Sequence, residues 1–196
     1  MKIRRYRRDV AMLFYTAFAL VLAGCVTNIA PSTQNNPPPT ESLAHFSHFQ
    51  LLPMEASPAA KEEAEALAKI DGNLQQHIKP LIASWEKQDA GGCNLQIQPY
   101  VQDLKFVGGG ARFFAGALAG SSAVVMKVKL IDAETKAVIA EPEFYQRAAA
   151  MGGAWSVGAT DNDMLNRIAT VFREYLERNY DKPVGGPTGL EEANRQ

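Results

Sequence analysis

The sequence predicts an α/β (α+β) two-layer sandwich, a small and mainly antiparallel sheet with helices packed on one face. Three observations predict it. Val124, Met126, Val128 and Leu130 alternate with Val125, Lys127, Lys129 and Ile131, the period of a strand that is buried on one side. Apolar residues recur at spacings of three and four from Leu67 to Trp85 and again from Leu165 to Leu176, the period of two amphipathic helices. The elements follow the order strand, helix, strand, glycine-rich segment, hairpin, helix, which suits one sheet with its helices on the same side.

The first element is a strand over His45–Met54, carrying Phe46, Phe49, Leu51 and Leu52 and ending in the prolines Pro53 and Pro58. A helix follows, with Ser57 as N-cap and Pro58 in its first turn. Its apolar stripe is Leu67, Ile70, Leu74, Ile78, Leu81 and Trp85. Gly72 and Pro80 interrupt it, which allows a kink or two shorter helices. Asp89 to Gly92 ends it. Leu95–Phe106 is a second strand with a proline fault at Pro99. The alternating strand around Val124–Ile131 turns at Asp132–Lys136 into a partner over Ala137–Arg147. A small-residue loop, Ala148–Gly158, holds Trp155. The last helix starts on Thr160 and Asp163, which resemble a capping box, and buries Leu165, Ile168, Phe172, Tyr175 and Leu176. Pro183 lies just past its end.

The N-terminus has another character. Met1–Arg8 is basic, and Val10–Val21 is an apolar run too short to span a bilayer, which takes roughly 20 residues. The run ends at Leu22-Ala23-Gly24-Cys25. This resembles the lipobox of bacterial lipoproteins. The resemblance implies that residues 1–24 are a cleaved signal peptide, that the Cys25 thiol takes a diacylglycerol, and that its new amine is acylated. Three acyl chains (palmitate among the usual ones) exceed the two signals that stable anchoring needs. Val26 stands where an Asp tends to retain enterobacterial lipoproteins in the inner membrane. By analogy the chain is expected at the outer membrane, facing the periplasm.

Removing residues 1–24 takes away five Lys/Arg and one acid, leaving 15 basic and 20 acidic residues, a balance near -5. An acidic mature chain argues against nucleic acid as the partner, since phosphate neutralisation needs a basic face. With Cys25 acylated, Cys93 has no intramolecular partner, so the fold rests on its core, and the thiol is expected to be buried. Val26 to Ser42 is polar and proline-rich and reads as a disordered tether. Residues 185–196 read as a flexible tail, which leaves one periplasmic domain over residues 43–184.

Arg112-x-x-x-Gly116-x-x-x-Gly120, followed by the alternating strand and an Asp132-x-x-Thr135 turn, is similar to a group of uncharacterised envelope lipoproteins. That resemblance covers about residues 43–180. It implies envelope location and an α/β domain, and it supplies no catalytic residues. Lys136 departs from it, because such a turn favours Gly.

The glycine-rich segment admits several roles. No Gly-Lys-Ser/Thr follows it, so it is not a P-loop. Gly116-x-x-x-Gly120 is a small-residue step of the kind that lets backbones approach. Arg112, Phe113, Phe114, Gly116 and Gly120 are thus candidates for a contact with a partner or with a second copy. Packing of Phe113 and Phe114 on the sheet is the simpler alternative, and membrane insertion is another. His45 and His48, three apart on a strand, would face opposite ways, which is wrong for one metal. Ser121, Ser122 and Ser156 lie in no Gly-x-Ser-x-Gly context. Glu62/Glu63 and Asp161/Asp163 suit helix starts. The sequence therefore implies no enzyme, no cofactor and no metal. It implies a membrane-anchored domain that binds an envelope protein partner. A subunit of an oligomeric envelope complex is one alternative, and an envelope hydrolase or ligand-binding protein, which needs a cleft assembled from distant positions, is another.

Overall fold

The computed structural model describes residues 29–86, 93–105, 122–148 and 157–191. The elements are β1 (Asn35–Asn36), β2 (His48–Leu51), β3 (Glu55–Ala56), α1 (Ala64–Trp85), β4 (Asn94–Lys105), β5 (Ala123–Asp132), β6 (Val138–Ala140), β7 (Glu143–Arg147), α2 (Val157–Arg178) and β8 (Gly186–Pro187). The fold is the expected α+β sandwich. β4 and β5 form the antiparallel centre of the sheet, from Leu95↔Asp132 to Lys105↔Ala123. β6 and β7 line the far side of β5, both antiparallel. β2 and β3 line the outer side of β4 and run parallel to it, so β2, α1 and β4 make a crossover unit.

The alternation of β5 decides which side is the core. Val124, Met126, Val128 and Leu130 are buried with Leu95, Ile97 and Val101 of β4 beneath both helices. α1 buries Ala66, Ile70, Leu74, Ile78, Leu81 and Ile82, with Leu67 and Trp85 packed at the margin. It stays one helix through Pro80, whose side chain is exposed. α2 buries Met164, Leu165, Ile168, Phe172, Tyr175 and Leu176, and Phe144 packs against Phe172 and Tyr175 at 5.3 and 5.8 Å between ring centroids. The helices lie side by side. Asn73 Nδ2 donates to the Leu165 carbonyl (2.9 Å), and His77 Nε2 meets Asn166 Oδ1 (2.8 Å).

Several local expectations need correction. His45 is not in a strand; Leu43–His45 is a 3-10 turn and β2 begins at His48. Ser57 does cap, but the turn it caps is the 3-10 turn Ala60–Glu62 that precedes α1: its Oγ accepts the Ala60 N–H (3.1 Å). α2 begins at Val157, so Thr160 is inside the helix and not at its cap.

Pro99 is tolerated mid-sheet for a geometric reason. It faces Val128, whose N–H donates away from β4 to the Pro142 carbonyl (3.0 Å). The pair is therefore a non-hydrogen-bonded one, and the proline nitrogen points to the β2–β3 side. There the edge is already interrupted at Pro53, and Gln98 Nε2 fills the gap by donating to the Pro53 carbonyl (2.7 Å).

The turn after β5 is held by Asp132, whose Oδ1 accepts the N–H groups of Glu134 (2.8 Å) and Thr135 (3.1 Å). Those two donors, Thr135 first, hold its carboxyl below the ordinary range. Lys136 then adopts φ +63°, a left-handed conformation that disfavours a side chain. Lys136→Gly is expected to stabilise the protein by about 1 kcal/mol, read as a higher urea midpoint with unchanged m-value.

The chain ends differ most from expectation. Of the residues read as a tether and a tail, 29–42 and 185–191 are described, and these are built into the domain. β1 pairs with β8. The Asn36 side chain, 5% exposed, pairs with the β7 backbone like a short strand: Nδ2 donates to the Glu143 carbonyl (2.8 Å) and Oδ1 accepts the Glu143 N–H (2.7 Å). The Thr188 carbonyl accepts the Tyr145 N–H (2.8 Å), and the Ile139 carbonyl accepts the Thr40 N–H (2.9 Å). Tyr175 Oη donates to the Pro37 carbonyl (3.1 Å), and burial pushes its phenol up to about 12. A polar, proline-rich stretch reads as a linker because it lacks core residues. Here it supplies amides and carbonyls to the open edge of β7, which covers an edge that would otherwise invite pairing.

Candidate functional site

Among the described residues, the sheet face opposite the two helices has two parts. At the β5 start, Ala123, Val125 and Tyr145 are buried under Ile29 and Leu190. Farther along the same face lies an open groove of about 340 Å³. β4 contributes Gln98, Tyr100 and Gln102; β5 contributes Lys127 and Lys129; Glu55 and Glu141 close the sides. The alternation that buries Met126, Val128 and Leu130 on the helix-covered face turns Lys127 and Lys129 outward on this one.

The groove mixes charges. Tyr100 stands directly across from Lys127, and Lys127 Nζ lies 3.7 Å from Glu143 Oε2. The Glu143 carboxylate also accepts both the backbone N–H and the Oγ–H of Ser32, the latter at 2.9 Å. Among the described residues the lining holds amides, amines, carboxylates and one phenol. Such a set can hydrogen-bond and ion-pair a polar partner from many directions.

A second groove, about 720 Å³, runs between α1 and the β2–β3 connection. Its floor is apolar (Leu51, Met54, Ala56, Leu67, Ala68) and its rim carries Lys61, Asp71, Gln75 and Lys79. The adjoining edge of β2 is capped by a side chain: Glu86 Oε1 accepts the Phe49 N–H (3.0 Å) and Oε2 meets His48 Nδ1 (2.8 Å). The Phe49 N–H first, then His48, hold the Glu86 carboxyl below the ordinary range. A lowered folded value gives stability that is present above the unfolded pKa and lost as pH falls through the folded one. Glu86→Gln is expected to lower stability near neutrality, to flatten the acid limb of the stability–pH curve and to converge with the wild type at low pH, which thermal melts from neutral pH down into the carboxylate range would record.

The histidines are not brought together. His45 pairs with Glu41 (3.3 Å), His48 with Glu86 and His77 with Asn166. Among the described residues no group of His, Cys, Asp and Glu could hold a metal, and no helix is long and apolar enough to cross a membrane. Cys93, expected to be buried, is half-buried at the start of β4 and packs at the core margin. The lipobox with Cys25 and Val26, the segment carrying Arg112, Phe113, Phe114, Gly116 and Gly120, Ser121, Ser156 and Trp155 lie outside the described residues.

No protein-family model matches the sequence, and no curated protein matches it. Solved structures of similar arrangement include the PelC dodecamer from Paraburkholderia phytofirmans (15% identity, 69% of this chain and 93% of that chain, TM-score 0.36). Others are a candidate lipoprotein from Caulobacter crescentus (14% identity, 76% and 93%, TM-score 0.34) and a Xanthomonas campestris protein of family DUF330 (11% identity, 84% and 97%, TM-score 0.41). Likenesses at this level carry no assignment of function.

Proposed function

We propose that this chain is an acylated envelope lipoprotein of the outer membrane whose periplasmic domain is non-catalytic and binds an envelope protein partner. The observation that carries the anchor is the box Leu22-Ala23-Gly24-Cys25, placed directly after a basic segment and a short apolar run. The partner reading is supported by the open groove around Tyr100, whose mixed lysines, glutamates and amides suit a polar protein surface.

A photo-crosslinking amino acid placed at Tyr100 in the lipidated protein in cells tests the partner reading. One discrete adduct with an envelope protein is expected from position 100, and none from position 134 at the β5–β6 turn. No adduct from position 100, or the same adducts from both, would count against it.

A further inference from the structure

The N-terminal segment runs along the β6–β7 edge in one direction. Thr40 is bonded at Ile139, Asn36 at Glu143, and Ile29 packs on Ala123, Val125 and Tyr145. Followed backwards, the chain moves toward the end of the sheet at which β4 finishes, β5 starts and β7 finishes, marked by Lys105, Ala123 and Arg147. Ile29 is four residues after Cys25. Four residues reach at most about 14 Å when fully extended. β5 is ten residues long, so its opposite end at Asp132 is about 30 Å away.

We infer that the Lys105–Ala123–Arg147 end of the sheet is the end that lies nearer the bilayer in the anchored protein, with a lipid surface as the domain's neighbour. The inference rests on the acylated Cys25 proposed above. The anchor reaches the domain at one fixed point, because Ile29 is seated in an apolar cluster and Ser32 and Asn36 are bonded to Glu143. A linker through Ser42 would have left the domain free to tumble. A link this short gives it a near end and a far end. The β5–β6 turn at Glu134 projects away from the membrane, and the groove around Tyr100 lies between the two ends, open to the side.

Fluorescence quenching on vesicles tests this. The full lipidated protein, with Cys93→Ser, carries one fluorophore at Lys105→Cys or at Glu134→Cys. It is placed in phosphatidylethanolamine–phosphatidylglycerol vesicles holding a headgroup spin label. Both variants are first checked for a wild-type thermal transition. Quenching is expected to be at least twofold stronger at position 105 than at position 134. A twelve-residue Gly/Ser insertion after Asn28 is expected to bring that ratio close to one. Equal or reversed quenching in the short-linked protein would overturn the inference, as would a ratio unchanged by the insertion. Failure of the anchor is separately visible, because the protein would then not float with the vesicles; that outcome removes the inference together with the lipoprotein reading.

Discussion

Asn179→Ala is expected to cost about 3–4 kcal/mol, close to the largest effect a single polar side chain produces. Asn179 is fully buried in the turn after α2. Its Oδ1 accepts the N–H groups of Val184 and Gly185, both at 2.8 Å. Its Nδ2 donates to the carbonyls of Tyr175 (2.7 Å) and Gly185 (3.2 Å). Truncation leaves two donors and the carbonyls of Tyr175 and Gly185 without those partners in a fully buried site. The same turn receives the N-terminal segment, since the Asn179 carbonyl accepts the Leu43 N–H (3.1 Å). Urea unfolding of the soluble domain from residue 29 onward reads the loss. Asn179→Asp is expected to be nearly as damaging, because a carboxylate faces two carbonyls where the amide donated. A cost under about 1 kcal/mol for Asn179→Ala, the worth of one ordinary hydrogen bond, would mean that the turn closes by other means.

Gly185→Ala is expected to cost about 3 kcal/mol, on the order of 10 °C in Tm for a domain of this size. Gly185 has φ +73°, where a side chain is strained, and a Cβ there would overlap the backbone oxygen of Asn36. That overlap is specific to the clasp. Once the β1–β8 pair separates, Asn36 loses its place against Glu143. The effects of Gly185→Ala and Asn36→Ala should therefore be less than additive in a double-mutant cycle. Limited proteolysis gives an independent reading: cleavage is expected to appear between residues 29 and 42 in Gly185→Ala and not in the wild type. Gly189, at φ +91°, is confined in a similar way, with a Cβ meeting the Tyr145 carbonyl oxygen at 2.7 Å.

What the sequence disclosed and what it hid follow from one distinction. Periodic burial is legible, so the alternation of Val124 to Leu130 and the stripe from Leu165 to Leu176 marked the core side of β5 and the buried face of α2. Backbone-mediated structure is not periodic. Asn36 closes a sheet edge with its amide, and Gly185 passes under Asn36 because it has no Cβ; neither leaves a repeating pattern. A run such as Asn35-Asn36-Pro37-Pro38-Pro39 has the composition of a linker and the bonding of an edge strand. Lys136 is the reverse case, since a turn position that favours Gly was recognisable from the sequence and the structure holds Lys136 there in a left-handed conformation. The Tyr100 groove was hidden because it draws on β3, β4, β5 and the β6–β7 link, and only the sheet register brings those together.

The difference matters for function. A domain starting at Leu43 on an eighteen-residue leash, residues 25–42, would sample its surroundings freely. With Cys25 acylated as proposed, a domain whose described fold already includes Ile29 would be held close to the anchor, and its surfaces would acquire fixed roles: one end toward lipid, one groove toward a partner.

All of this depends on Cys25. Intact-mass and peptide mass spectrometry of the mature protein from membranes is the most direct test. The account predicts a chain lacking residues 1–24, with diacylglycerol on the Cys25 thiol and an acylated amine, and a Cys25→Ser protein with neither lipid mass. A wild-type chain whose Cys25 carries no lipid, or one that retains residues 1–24, would contradict it.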